Sequence, residues 1–139
     1  MNATRQEIIE DLNRLMAEEL EAFLRYFQLR YRLRGIDRLA AEEFFNNAMR
    51  ETHEHAEAIA KQIRALGEVP RVAVKLTVGG GPVTLNEALQ ETLEVEQQAL
   101  DAYKELLPRV AGDPVLEDFI RQQVAVETEH VQEIKQLLE

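Results

Sequence analysis

In Glu127-Thr128-Glu129-His130 a carboxylate and an imidazole stand three residues apart, about 60° around a helix, so both aim the same way. On a buried face such a pair makes half of a metal site. Three more potential ligands, Glu19, His55 and Glu96, each lie in or beside an otherwise apolar stripe. Burying one ionised carboxylate among hydrocarbon costs several kcal/mol unless it is paired or coordinates a metal. Taken singly, Glu19 or Glu96 also suits a side chain that bends to solvent or pairs with arginine, and His55 a hydrogen-bonded core histidine. Taken together, at matching depth on separate stripes, they point to a dinuclear metal site.

The stripes that carry these residues are helical. Ile8, Leu12, Leu15, Glu19, Ala22, Tyr26, Leu29 and Leu33 follow at alternating steps of four and three, the 3.5-residue period of a bundle seam. A second seam runs Phe45, Met49, Thr52, Ala56, Ile59, Ile63, Leu66 with His55 beside it. The third is Leu85, Leu89, Thr92, Glu96, Ala99, Tyr103, Leu106, Val110, and the fourth Leu116, Ile120, Gln123, Glu127, His130, Ile134, Leu137.

Helix ends agree with this count. Thr4 with Glu7 and Thr84 with Glu87 read as capping boxes, and Asp113-Pro114 as N-cap and first helical residue. Gly35, Gly67 and Gly112 mark the stops. The expected helices cover roughly 4–34, 38–66, 84–111 and 114–138. Short joins near Gly35 and Gly112 make two αα-hairpins. Between them, from Gly67 to Val83, lie some seventeen residues, which when extended reach roughly 55 Å, more than the ~42 Å of a 28-residue helix. That is enough to cross the bundle end to end. The stretch 72–78 alternates like a strand, but it is expected to remain outside any sheet. The fold class is therefore all-α, a four-helix bundle of two hairpins joined by a long crossover, forming one domain over 1–139.

Composition sets outer limits. At 139 residues and 45% hydrophobic content the chain buries a core without covalent staples. The absence of cysteine excludes disulfides, iron–sulfur clusters and thiolate zinc, and fits a reducing compartment. No apolar run of membrane length and no signal peptide occurs, so no membrane association and a cytoplasmic location are expected. A net charge of −10 argues against nucleic-acid binding, which needs a basic face. Arg25, Arg30, Arg32, Arg34 and Arg38 form a solvated or subunit-contact surface. No internal repeat is visible.

The run Leu15-Met16-Ala17-Glu18-Glu19-Leu20-Glu21-Ala22-Phe23-Leu24-Arg25-Tyr26-Phe27 resembles the first helix of bacterioferritins, His55-Ala56-Glu57 their second and Glu127-Thr128-Glu129-His130 their fourth. The resemblance, within the ferritin-like superfamily, implies two iron ions per subunit. Glu19 and His55 would serve one ion, Glu96 and His130 the other, with Glu127 bridging and Tyr26 adjacent. It implies Fe(II) oxidation by O2 or H2O2 for iron storage or detoxification. Mixed carboxylate and imidazole ligands suit iron, with manganese an alternative metal.

Three departures qualify that picture. The family's second bridging carboxylate would lie three residues before His55, where this chain has Thr52. Glu51, one residue earlier, points about 40° further away and would reach the metals only through a π-bulge, whereas a regular helix is expected. The family's haem methionine would fall at His53, which reads better as a surface histidine, so haem is not expected. The chain stops nine residues past His130, without the family's short fifth helix, and a full shell is not expected. Phe23, Phe27, Phe44 and Phe45 are still more aromatics than one seam absorbs, so a homo-oligomer, at least a dimer, is expected. Two other readings remain: a bundle with an incomplete metal site serving a structural or interaction role, and a rubrerythrin-like peroxidase, which the lack of cysteine disfavours.

Overall fold

The computed structural model describes residues 3–139. Four α-helices form it: α1 Arg5–Arg32, α2 Ile36–Ala65, α3 Leu85–Leu106 and α4 Pro114–Leu137. Helix α1 packs chiefly on α2, and α3 on α4. The expected boundaries hold within two residues except at the end of α3. There Pro108 lacks the N–H a helix interior needs, and Leu107–Val110 tighten into a 3-10 turn.

The caps differ in detail. Thr84 and Glu87 make a reciprocal capping box, and the Asp113 side chain accepts from the Leu116 N–H. Thr4 accepts from the Glu7 N–H at 3.2 Å, but the Glu7 side chain meets the Thr4 hydroxyl rather than its backbone, so this box is half formed. Gly67 and Gly112 take φ of +95° and +97°, the left-handed stop expected of them. Gly35 instead stands as the N-cap of α2.

The crossover runs the length of α1. The Arg71 N–H donates to the Asn13 side chain at 2.8 Å and the Lys75 N–H to Glu21 at 3.2 Å. Further on, Gln28 donates to the Gly79 carbonyl and Arg32 to that of Gly81. Ten residues of crossover thus track nineteen of helix, roughly 33 Å of extended chain against roughly 28 Å of helix. Its backbone groups find α1 side chains instead of a neighbouring strand, and among the described residues only an isolated bridge, Leu33 with Val83, has strand pairing.

The core is divided. Leu12, Leu15, Met16, Ile59, Ile63, Tyr103 and Ile120 belong to one buried cluster, while Ala22, Tyr26, Leu29, Leu33, Phe45 and Ala88 belong to another. Glu19 sits between Met16 and Ala22 along α1, so a polar layer separates the two. One seam assignment fails at the end of α4: Leu137 is exposed, and Val131 is buried instead alongside Ile134.

Candidate metal centre

Each helix contributes to the polar layer at mid-height. Glu19 of α1, Glu96 of α3 and Glu127 of α4 are all buried, with Glu127 only 1% exposed. His55 of α2 and His130 of α4 complete two clusters, Glu19/His55/Glu127 and Glu96/Glu127/His130. In each cluster one potential ligand atom per residue lies within 4.8 Å of the others. Glu127 belongs to both. The two imidazole rings are nearly parallel, with centroids 6.3 Å apart.

Both glutamates of α1 and α3 are held by a tyrosine from the opposite hairpin. The Tyr26 hydroxyl donates to Glu96 Oε1 at 2.9 Å, and the Tyr103 hydroxyl donates to Glu19 Oε1 at 2.8 Å. One oxygen of each carboxylate is thereby anchored and the other faces a histidine. Glu19 Oε2 lies 3.5 Å from His55 Nδ1, and Glu96 Oε2 lies 3.7 Å from His130 Nδ1. The sequence marks Tyr103 only as a seam residue. A signal was present: in both α1 and α3 a tyrosine follows the glutamate by seven residues. This sparse match relates the two hairpins by approximate two-fold symmetry without producing a visible repeat.

Glu127 Oε1 approaches His55 Nδ1 at 3.4 Å, a contact of charge rather than a well-formed hydrogen bond. His55 Nδ1 and Glu127 Oε2 are in fact buried atoms without a hydrogen-bond partner. Unsatisfied buried polar atoms are costly, and here both belong to potential metal ligands, His55 Nδ1 in one cluster and Glu127 Oε2 on the side of the other. A carboxylate and imidazole donor set suits Fe(II) or Mn(II), and the residues fit a pair of such ions.

The electrostatics are those of a carboxylate-rich site. Burial opposes charge on His55, but the Glu127 and Glu19 carboxylates raise its pKa to about 10. Glu127 and Glu96 raise that of His130 to about 11 against the effect of burial. Burial, reinforced by Glu127, pushes Glu96 upward. Burial also acts upward on Glu127, yet its contacts to Glu96, His130 and His55 hold it below the ordinary value. Tyr26 and Tyr103 are driven well above 10 by burial and by the carboxylates they contact, and stay neutral donors.

The structure changes the reading of Glu51. Helix α2 is regular through this stretch, as expected, yet Glu51 is not a solvated charge. Its side chain spans the angular offset and places Oε2 2.8 Å from His130 Nε2, the ring nitrogen facing away from Glu96 and Glu127. It supports His130 from behind without joining either cluster. Thr52 is buried, and its hydroxyl turns back to the Ala48 and Met49 carbonyls of its own helix at 3.1 and 2.9 Å. His53 is exposed beside Glu57.

Two cavities reach the centre. One of about 320 Å³ opens between α2 and α4 past Glu51 and Glu133 to Glu96 and His130. The other, about 160 Å³, opens between α1 and α3 and reaches Glu19, Thr52 and Glu96. A larger groove of about 470 Å³ elsewhere on the α1–α3 face is lined by Asp11, Glu18, Glu105 and Arg109, where Arg109 already pairs with Asp11 at 2.8 Å.

Comparison with known proteins agrees with this architecture. Over its whole length the chain superposes on a ferritin-like, diiron-carboxylate protein from Bacillus anthracis with a TM-score of 0.88 and 26% identity, covering all of that chain. A Dps protein from Bacillus brevis gives 0.88 at 17% identity with full coverage of both chains. The bacterioferritin of Desulfovibrio desulfuricans gives 0.81 at 22% identity, over 96% of this chain and 79% of that one. No curated protein sequence matches significantly. The sequence pattern of the ferritin-like domain family matches residues 9–139, and with the four-helix topology around it this chain belongs to the ferritin-like family.

Proposed function

We propose that this protein binds two Fe(II) ions in its mid-bundle layer and oxidises them with O2 or H2O2, in iron storage or detoxification in the cytoplasm. The observation that carries this reading is the pair of Glu/Glu/His clusters sharing Glu127, with one partnerless buried ligand atom on His55 and one on Glu127. A relative described as a diiron-carboxylate protein supports it at full-length superposition.

Glu19 and His55 would hold one ion and Glu96 and His130 the other, with Glu127, a member of both clusters, available to each. Tyr26 and Tyr103 fix the carboxylates so that little side-chain freedom is lost on binding. Glu51 orients His130 by accepting from Nε2, leaving Nδ1 for the ion, as outer carboxylates do for ligating histidines. Bound iron supplies the electrons: one from each of two Fe(II) ions, with two protons, reduces O2 to H2O2 or H2O2 to water. The acidic rim of Glu51, Glu129 and Glu133 beside the α2–α4 cavity raises the local concentration of the cation.

Aerobic addition of Fe(II) to metal-free protein tests this. Ferric absorbance should saturate near ~2 ions per chain, and Glu127→Ala should slow oxidation by more than about tenfold. Binding of only a trace of iron, or equal rates in mutant and parent, would defeat the reading. The competing view, a bundle whose site has lost function and serves as an interaction module, is favoured by one observation, the buried Thr52.

A further inference from the structure

The approximate two-fold of the bundle makes Thr52 the counterpart of Glu127. Each lies three residues before a histidine of the centre, Thr52 before His55 and Glu127 before His130. The symmetry is kept by the two glutamate–tyrosine pairs and broken at this position. On the Glu127 side a carboxylate reaches both clusters. On the Thr52 side there is a short side chain whose hydroxyl donates to its own helix, and the space is a cavity of about 160 Å³.

That cavity is well placed to complete the centre. Its inner end is formed by buried Glu19, Thr52 and Glu96, thus by one ligand from each cluster, and its mouth by Glu18, Glu21 and Arg25. The volume is several times the ~30 Å³ share of one liquid water, ample for a molecule of three or four heavy atoms. Charge points the same way. Two divalent ions bring four positive charges against the three carboxylates of Glu19, Glu96 and Glu127 within the clusters; the fourth carboxylate nearby, Glu51, stands behind His130 at Nε2, so the clusters themselves have room for one more anionic ligand. Each cluster also supplies only three protein ligands, fewer than the six that iron or manganese takes in an octahedral oxygen-rich site.

We infer that the Thr52 cavity is a binding site for a small, singly charged, bidentate oxyanion of carboxylate type, which bridges the two ions where the other half of the bundle uses Glu127. The inference rests on the two-ion reading of the site. At the mouth Glu18 and Glu21 outnumber Arg25, so the attraction for the anion comes from the bound ions, and occupancy follows metal loading because three bare carboxylates repel it.

Cobalt(II), which is not oxidised by air in such ligand sets and has visible bands sensitive to its ligands, separates this inference from the underlying reading. The full-length protein is loaded to saturation in a non-coordinating buffer and titrated with formate, with bicarbonate and, as a monodentate control, with chloride. Formate or bicarbonate should shift the cobalt spectrum saturably, at one anion per pair of ions, and whichever of the two binds more tightly identifies the source. Thr52→Glu should weaken the anion's effect by at least about tenfold while cobalt loading persists. Thr52→Gln, which fills the space without charge, should also abolish the anion response but should not tighten cobalt binding as Thr52→Glu does. His53→Ala, at an exposed side chain outside both clusters, should leave the anion response in place.

Failure to load about two cobalt ions per chain would overturn the two-ion reading itself. Normal loading with no anion response, or an undiminished response in both Thr52 variants, would overturn the inference alone. An anion response that emerges only in Glu51→Ala would show that Glu51 swings in to occupy the position, and would overturn it as well.

Discussion

Tyr103 shows how one hydroxyl supports a charged centre. Its bond to Glu19 Oε1 is buried and made to a carboxylate, the class of hydrogen bond whose loss costs about 1.5–3 kcal/mol. Tyr103→Phe should lower the stability of metal-free protein by that amount in chemical denaturation, and should weaken binding at the Glu19/His55 position more than at the other. Unchanged stability would mean that water replaces the hydroxyl. The histidines add a pH dependence. Their pKa values, raised to about 10 and about 11, mean that the folded state holds these protons more tightly than the unfolded chain does. The resulting stabilisation is complete below an ordinary histidine pKa of about 6.5, and is lost as pH climbs toward 10 and 11. Metal-free protein should therefore melt at progressively lower temperature from pH 7 to pH 10. Redox-inert divalent metal should raise the melting temperature by a margin that widens over the same range, because ligation displaces those protons. A melting temperature that is flat or rising with pH in the metal-free protein would refute this.

At the scale of the element, the stop after α2 decides where the crossover begins. Gly67 holds φ of +95°, and a Cβ there would lie 2.9 Å from an Arg5 guanidinium nitrogen. The arginine end can move, but the backbone angle remains unfavourable to any L side chain. Gly67→Ala should cost about 1 kcal/mol and leave metal stoichiometry intact, measured by thermal melting beside a cobalt titration. A neutral or stabilising result would show that the chain leaves α2 by another route. The cost falls on the join because the bonds that tie the crossover along α1 lie further on, at Asn13, Glu21, Gln28 and Arg32.

At the scale of the molecule, the outer face of the first hairpin is too apolar to be explained by the bundle alone. Leu24, Phe27 and Tyr31 on α1 are 42%, 48% and 55% exposed, and Ile36 and Leu39 at the start of α2 are 74% and 67% exposed. With Leu20 the α1 residues form a second 3.5-residue stripe, beside the one that faces the core. Arg30 and Arg38 lie over the Tyr31 ring at 5.2 and 4.8 Å, so the arginine cluster borders this patch. Exposed apolar surface of this kind suits an interface, and a two-fold pairing of the hairpins would cover it. Light scattering at micromolar concentration should return at least a dimer of the 16.0 kDa chain, and Leu24→Glu combined with Phe27→Glu should shift it to monomer. A monomer of the parent protein would contradict the proposal.

Helix number, the height of the ligands and the end-to-end crossover were legible in the sequence because each depends on local chemistry: seam periodicity, caps, and the reach of the seventeen residues from Gly67 to Val83. Glu19, His55, Glu96, Glu127 and His130 could be named together because periodicity places each on or beside an inward face. What periodicity cannot state is how far a side chain reaches across an interface, or toward which neighbour. Only the packed structure shows that Tyr103 reaches Glu19 from the other hairpin, that Glu51 meets the far nitrogen of His130 from a regular helix, and that Val131 rather than Leu137 is buried. The same limit applies at Thr52. Sequence marks a carboxylate as missing there, but whether neighbours collapse into the space or leave it open is decided by the volumes of Ala22, Val95 and Ala99 around it, and these meet only when α1, α2 and α3 are packed.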